Sequence, residues 1–259
     1  MTKKVLTILL TVLLFLSAVV LGGSTVFRVD DIAVKATVSE ESKTNLSQLQ
    51  GDLKDLYEGK GIFSVKEEDV TSIVAQYPYF RMTEFEKHYP NKIIVTIEEE
   101  TEVYAVERAE GGYYILGETG MVLEIRDSSI NRLDNVENVI IKGVTLSGQK
   151  GESLVGDECW ASMLLLCQRM NEKLGGIRSN VLSVEVLIRT PEIFYMIEMR
   201  EGVKIYVGDP SVMTEEKAKK AMDEYMALST SQRMTGRLTV RDMDGQVLVG
   251  YSPENEFED

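Results

Sequence analysis

Hydrophobic positions follow three different rhythms along this chain, and each predicts a different kind of element. The first is unbroken. Residues 5–27 carry no charge and are dominated by Leu, Val and Ile, between Lys3-Lys4 on one side and Arg28 on the other. As a helix this run would extend about 35 Å at ~1.5 Å per residue, more than the ~30 Å hydrocarbon core of a bilayer. The second rhythm is helical. Leu46, Leu49, Leu53 and Leu56 recur every three or four residues, with Gly59 and Gly61 marking the end. Val70, Ile73, Val74 and Tyr77 repeat the pattern behind Glu67, Glu68 and Asp69, carboxylates that suit a first helical turn, and Pro78 stops it. The third rhythm is alternation. Ile93, Val95 and Ile97 against Ile94, Thr96 and Glu98 predict a strand, paired with residues 79–88 around Tyr89-Pro90-Asn91. Residues 27–38 read as an opening strand with a bulge, because its apolar parity shifts between Val29 and Ile32. The order over residues 28–99 is therefore β-α-α-β-β, with the helices on one face of a small sheet.

From about Thr101 the pattern changes to short apolar runs separated by Gly, Asn and Asp turns. Strands are predicted at residues 103–106, 113–116, 121–125, 139–142, 182–188, 193–199 and 203–207. Helices are predicted at residues 157–174, closed by Gly175-Gly176, and at residues 214–228, with Ala218, Ala221, Met222 and Tyr225 on one side. Two last strands, 237–241 and 246–251, meet at Asp244-Gly245, a strong hairpin signal. The fold class is α+β: an N-terminal transmembrane helix, a small β-α-α-β-β domain, then a mostly antiparallel β domain with two helices. The domains run 1–4 as a cytoplasmic tail, 5–27 in the membrane, 28–99 and 100–251 as folded domains, and 252–259 as a disordered acidic tail.

Charge sharpens this picture. The two lysines ahead of the apolar run favour a cytoplasmic N-terminus by the positive-inside rule. A retained anchor is preferred to a cleaved signal peptide, because the run exceeds an h-region and no clear A-x-A site closes it. Of 28 basic residues only Lys3 and Lys4 precede the exported part, which holds all 42 acidic ones and so carries about −16. Such a surface repels nucleic acid and anionic headgroups. Cys159 and Cys167 fall on one predicted helix, eight residues and ~12 Å apart, too far for a disulfide, which needs Cα atoms within about 7 Å.

Catalytic signals are weak. The single histidine, His88, sits in a strand-turn context, and no Gly-x-Ser-x-Gly elbow supplies a nucleophile. One His and two helix-borne Cys do not make a zinc ligand set. Asp242-x-Asp244-Gly245 lacks the downstream acid of a calcium loop and reads as a turn, and Glu98-Glu99-Glu100 reads as a solvated strand end. No glycine-rich phosphate loop is present. The expectation is no catalytic residue, no cofactor, no metal, no nucleic acid and no small-molecule substrate.

One series of short motifs runs through the chain in order: Phe27-Arg28-Val29-Asp30-Asp31-Ile32-Ala33-Val34, Gly61-Ile62-Phe63-Ser64-Val65, Tyr77-Pro78-Tyr79-Phe80 and Tyr89-Pro90-Asn91-Lys92-Ile93 with Val95 and Ile97-Glu98-Glu99. Val103-Tyr104-Ala105, Leu116-Gly117-Glu118-Thr119-Gly120, Ile205-Tyr206-Val207-Gly208-Asp209 and Gly236-x-Leu238-x-Val240-Arg241-Asp242 continue it. In these motifs the chain resembles the bacterial cell-division proteins called FtsQ in Gram-negative and DivIB in Gram-positive bacteria. It departs at Lys35-Ala36-Thr37, where many members have Gly-Asn, and in its four-residue cytoplasmic tail. The resemblance implies a POTRA domain followed by a β domain, in a single-pass plasma-membrane protein at the division septum. It implies a non-enzymatic scaffold of the divisome, whose partners are FtsL-like and FtsB/DivIC-like bitopic proteins and septal peptidoglycan synthases. It also implies that a partner adds a strand to the C-terminal edge, here Val247, Leu248, Val249, Gly250 and Tyr251, an uncharged stretch. The alternative reading is a POTRA-type chaperone or translocation component for exported chains. Against it, such proteins of the outer membrane continue into a long β-barrel, and no strand series of that length follows here.

Overall fold

The computed structural model describes residues 25–156, 158–189 and 192–254. Nearly all of the predicted membrane-spanning run, the cytoplasmic tail and the last five residues lie outside them. No helix of the described residues is long and apolar enough to cross a membrane. The chain divides into two units, one ending at Glu100 and the other beginning at Thr101.

In the first unit, strand β1 (Asp31–Thr37) leads to helix α1 (Lys43–Tyr57), a single 3-10 turn (Ile62–Ser64), helix α2 (Glu67–Val74), and strands β2 (Phe80–His88) and β3 (Lys92–Glu99). The sheet order is β1-β3-β2, with β1 parallel and β2 antiparallel to β3. The apolar stripes predicted for the helices form the core: Leu49, Leu53, Val70 and Val74 are buried with Ile93, Val95 and Ile97 of the central strand. Each such side chain contributes on the order of 2 kcal/mol by leaving water. Leu56, predicted on the same stripe, is largely exposed.

The opening strand is shorter than its pattern suggested, and it is not bulged. Residues before Asp31 bond elsewhere: the Val29 N–H donates to the Lys60 carbonyl at 2.8 Å, and the Ile62 N–H donates to that of Phe27 at 2.8 Å. Val29 thus belongs to a separate short pairing with the loop after α1, which accounts for the parity shift before Ile32. The acidic run is also not simply solvated. Arg81 pairs with Glu98 at 2.8 Å and with Glu100 at 2.9 Å, and Glu100 is buried. Glu99 accepts from Ser39, through its N–H at 2.6 Å and its hydroxyl at 2.8 Å, and from the Ser42 hydroxyl. These bonds tie the start of α1 to the end of β3.

The second unit is built on one nine-stranded sheet. Its strands are β4 (Tyr104–Glu107), β5 (Tyr113–Leu116), β6 (Val122–Arg126), β7 (Val139–Lys142), β8 (Val181–Arg189), β9 (Glu192–Met199), β10 (Lys204–Gly208), β11 (Arg237–Met243) and β12 (Gln246–Ser252). In space they run β12-β11-β10-β9-β8-β7-β4-β5-β6. Five neighbouring pairs are antiparallel; β10 with β11, β7 with β8 and β4 with β7 are parallel. Helix α3 (Glu158–Leu174) joins β7 to β8, and α4 (Thr214–Ala227) with the short α5 (Thr230–Arg233) joins β10 to β11. A helix between adjacent strands carries the chain back to the end at which the first strand began, which makes those pairs parallel. The inward faces of α3 (Trp160, Met163, Cys167, Met170) and α4 (Ala218, Ala221, Met222, Tyr225) share one core cluster with Tyr104, Ile141, Val184, Tyr195, Ile205, Val240 and Val247.

Candidate functional site

The predicted partner-binding residues all lie on β12, and β12 is the end of the sheet: among the described residues it pairs with β11 and with nothing beyond. Its position follows from the turn before it. Asp244 (φ 50°) and Gly245 (φ 74°) both take left-handed backbone, the two-residue turn whose twist suits a hairpin. The turn sets Met243 opposite Gln246, so Arg241 faces Leu248, Thr239 faces Gly250, and Val240 faces Val249. A two-residue hairpin closes on a hydrogen-bonded pair, and such pairs alternate with open ones. The N–H and C=O groups of Gln246, Leu248 and Gly250 therefore bond to β11, whereas those of Val247, Val249 and Tyr251 point away from the sheet.

The side chains alternate as well. Val247 is buried, Val249 and Tyr251 are half-buried against the core, and Leu248 and Gly250 are exposed on the opposite face. Across from Leu248, the Arg241 guanidinium lies 5.2 Å from the centre of the Phe194 ring. The Tyr251 hydroxyl donates to the Thr235 carbonyl at 3.3 Å. Gly236 (φ 86°) lies under this end of the strand, where a Cβ would stand 2.4 Å from the Ser252 carbonyl oxygen and 2.7 Å from the Tyr251 hydroxyl. Only glycine lets β12 close over that point.

Two lysines of α4 complete the edge, and the sequence reading missed both. Lys220 donates to the Val247 carbonyl at 2.7 Å and lies 3.5 Å from Glu216. That carbonyl is an outward one, so the ammonium caps part of the edge. Lys217 is fully buried and donates to the Gly208 carbonyl at 2.8 Å, the Asp209 carbonyl at 2.8 Å and Asp242 Oδ1 at 2.5 Å. It ties the start of α4 to the ends of β10 and β11. The hydrogen bond from Lys217 holds the Asp242 carboxyl below the ordinary carboxylate range. Asp242 thus lies on β11, paired with an internal lysine, and the turn itself is Asp244-Gly245. The only clue to these roles was two lysines three residues apart beside an apolar helical stripe, a pattern that solvated helix faces share.

The other sheet edges are guarded. β6 carries Glu124 and Arg126, and its start is covered: the Val122 N–H donates to the Glu152 carbonyl at 2.9 Å, and the Gly151 N–H donates to that of Val122 at 2.8 Å. β1 carries Asp31 and Lys35, and β2 carries Arg81, Glu84, Glu86 and Lys87. Charges on an edge discourage strand addition. β12 has none from Gln246 to Ser252.

The residues considered for catalysis are not brought together. His88 is exposed, with its Nε2 3.1 Å from Glu86 Oε2. Cys159 and Cys167 carry free thiols on α3, and burial pushes the Cys167 thiol up to about 12, so it stays protonated. Ser162 and Tyr195 share a hydrogen bond of 2.6 Å inside the core, away from solvent. Among the described residues no group of three or more His, Cys, Asp or Glu side chains is placed to hold a metal ion.

No protein-family model matches the chain, and no curated protein matches it.

Proposed function

We propose that this chain is a non-enzymatic scaffold of the bacterial divisome, anchored in the plasma membrane by residues 5–27 with its N-terminus in the cytoplasm. Its first unit acts as a POTRA domain and its second as the partner-binding β domain. FtsL-like and FtsB/DivIC-like proteins bind it outside the membrane during septum formation, one of them by adding a strand to β12. The observation that carries this reading is the β12 edge, which is uncharged and has three residues with outward backbone groups. An added strand would bond to Val249 and Tyr251, and to Val247 once Lys220 is displaced. The β-α-α-β-β order of the first unit, with β3 central, supports the family resemblance of the motifs.

Amide hydrogen exchange tests the reading. When the extracytoplasmic segments of the FtsL- and DivIC-like proteins are added, the amides of Val249 and Tyr251 gain protection and those of β6 do not. Protection that spares β12 would remove the proposed site.

A further inference from the structure

The first unit carries an apolar feature that the β12 reading leaves unused. Two exposed aromatic rings and the half-buried ring of Phe27 form a continuous row, or plate, at the end of the apolar run. The ring centres of Phe27 and Phe63 are 5.3 Å apart, and those of Phe63 and Tyr89 are also 5.3 Å apart. Phe63 is 65% exposed and Tyr89 59%, unusual for large aromatic side chains in a folded unit, and Val26 beside them is 53% exposed. The plate is built on backbone bonds. The Phe27 carbonyl accepts from Ile62, Val29 donates to Lys60, and the N–H groups of Asp30 and Asp31 donate to Asn91. The turn that presents Phe63 is therefore fastened to Phe27, the last residue of the apolar run, and the loop that presents Tyr89 to Asp30 and Asp31 just beyond it.

We infer that this plate is a membrane-interface foot: Phe63 and Tyr89 seat at headgroup level in the same bilayer that residues 5–27 cross. The inference rests on the anchor reading above. Phe27 is the last residue of that run, so a spanning helix places its ring at the boundary of the hydrocarbon core. The Phe63 ring centre is 5.3 Å from that of Phe27, within the interfacial layer of roughly 5–8 Å on each side of the core, and Tyr89 continues the row 5.3 Å further on, its hydroxyl reaching toward water. Aromatic side chains favour that layer, and Tyr in particular keeps its hydroxyl wet while its ring leaves water. Charge does not drive the contact: Lys66 and Lys87 share a surface groove with Phe63, but Glu67 and Glu68 line it too. The foot would fix the tilt of the first unit on the membrane.

The test is fluorescence of the full chain reconstituted in phosphatidylcholine vesicles, with and without lipid brominated near the headgroup end of its acyl chains. Phe63→Trp and, separately, Tyr89→Trp each add one reporter to the native Trp160, which is buried in the second unit and supplies the background. Thr37→Trp is the control. It is exposed at the far end of β1, about 20 Å along the strand at ~3.3 Å per residue. Brominated lipid should quench the emission added at residues 63 and 89, since aromatic rings favour headgroup depth, and leave the residue 37 reporter unchanged. Equal emission with and without bromine at 63 and 89, in a chain that resists alkaline extraction, overturns the foot alone and points to a protein partner for the plate. Extraction of the parent chain from the vesicles overturns the anchor reading and the foot with it.

Discussion

Replacing Lys217 by methionine tests whether the β10–β11–β12 end of the sheet is held in place by a buried ammonium. Methionine keeps most of the aliphatic stem and deletes the charged head, whose three acceptors are the Gly208 and Asp209 carbonyls and Asp242. The Gly208 carbonyl is buried, and losing its donor costs about 1–3 kcal/mol. The Asp209 carbonyl and the Asp242 side chain are nearer solvent, the latter 30% exposed, so water recovers much of their loss. A total of about 2–4 kcal/mol is expected, or a fall in Tm of roughly 5–15 °C for a unit of this size. Trp160 is the only tryptophan and lies in the second unit's core, so its fluorescence follows that unit alone. The acid limb carries a second signature. The folded Asp242 carboxyl is held below its unfolded value of about 3.9. Its stabilisation is complete above that unfolded value and is lost as pH falls through the lower folded one. Lys217→Met should therefore destabilise the unit at neutral pH and flatten its stability between about pH 4 and the folded value. A variant that melts within about 2 °C of the parent, less than ~1 kcal/mol, with an unchanged acid limb would refute the buried tie.

Two further outcomes follow from the same edge. Lys220→Ala uncaps the Val247 carbonyl and leaves it to an incoming strand. One hydrogen bond of about 0.5–1.5 kcal/mol makes partner binding about 2- to 10-fold tighter by calorimetry, and weaker binding would show that Lys220 instead serves the partner. Gly236→Ala sets a Cβ against the end of β12 in left-handed backbone; the backbone strain alone costs about 1–3 kcal/mol. It should lower the Trp160-monitored Tm and speed amide exchange at residues 250–252, and a melt identical to the parent's would count against the close approach.

Most elements were legible because their apolar periods are clean. The α1 stripe, the β3 alternation and the Asp244-Gly245 turn each correspond to an observed element within a residue or two, while α2 ends at Val74, three residues short of Tyr77 on its predicted stripe. What could not be read was pairing. Whether β10 neighbours β11 in parallel depends on where α4 packs, and a long-range contact leaves no local period. The Val29–Ile32 parity shift was read as a bulge because the partner of Val29, the loop at Lys60, lies about thirty residues away. The same limit hid Lys217 and Lys220. A lysine that seeks backbone carbonyls across the fold has the same sequence signature as one in water. Leu56 fails in the opposite sense: it keeps the helical period but lies outside the buried stripe of Leu49, Leu53 and Tyr57. For the candidate site, the apolar, uncharged character of residues 247–251 was plain in the sequence, while their place at a sheet edge was expected only from the family resemblance and left no local pattern of its own.

The most direct test of the central claim is binding of the FtsL- and DivIC-like extracytoplasmic segments to the full chain in nanodiscs, before and after Val249→Pro. Val249 is opposite Val240 at an open position, so its N–H faces away from β11 and proline there spares the β11 ladder while blocking the outer edge. Trp160 fluorescence first confirms that the variant folds. The account predicts that the parent binds and that Val249→Pro weakens binding at least about 10-fold, since a lost bond of ~0.5–1.5 kcal/mol is compounded by the ring's obstruction of the incoming strand. Equal binding by parent and variant would contradict strand addition at β12, and no binding by either would contradict the scaffold itself.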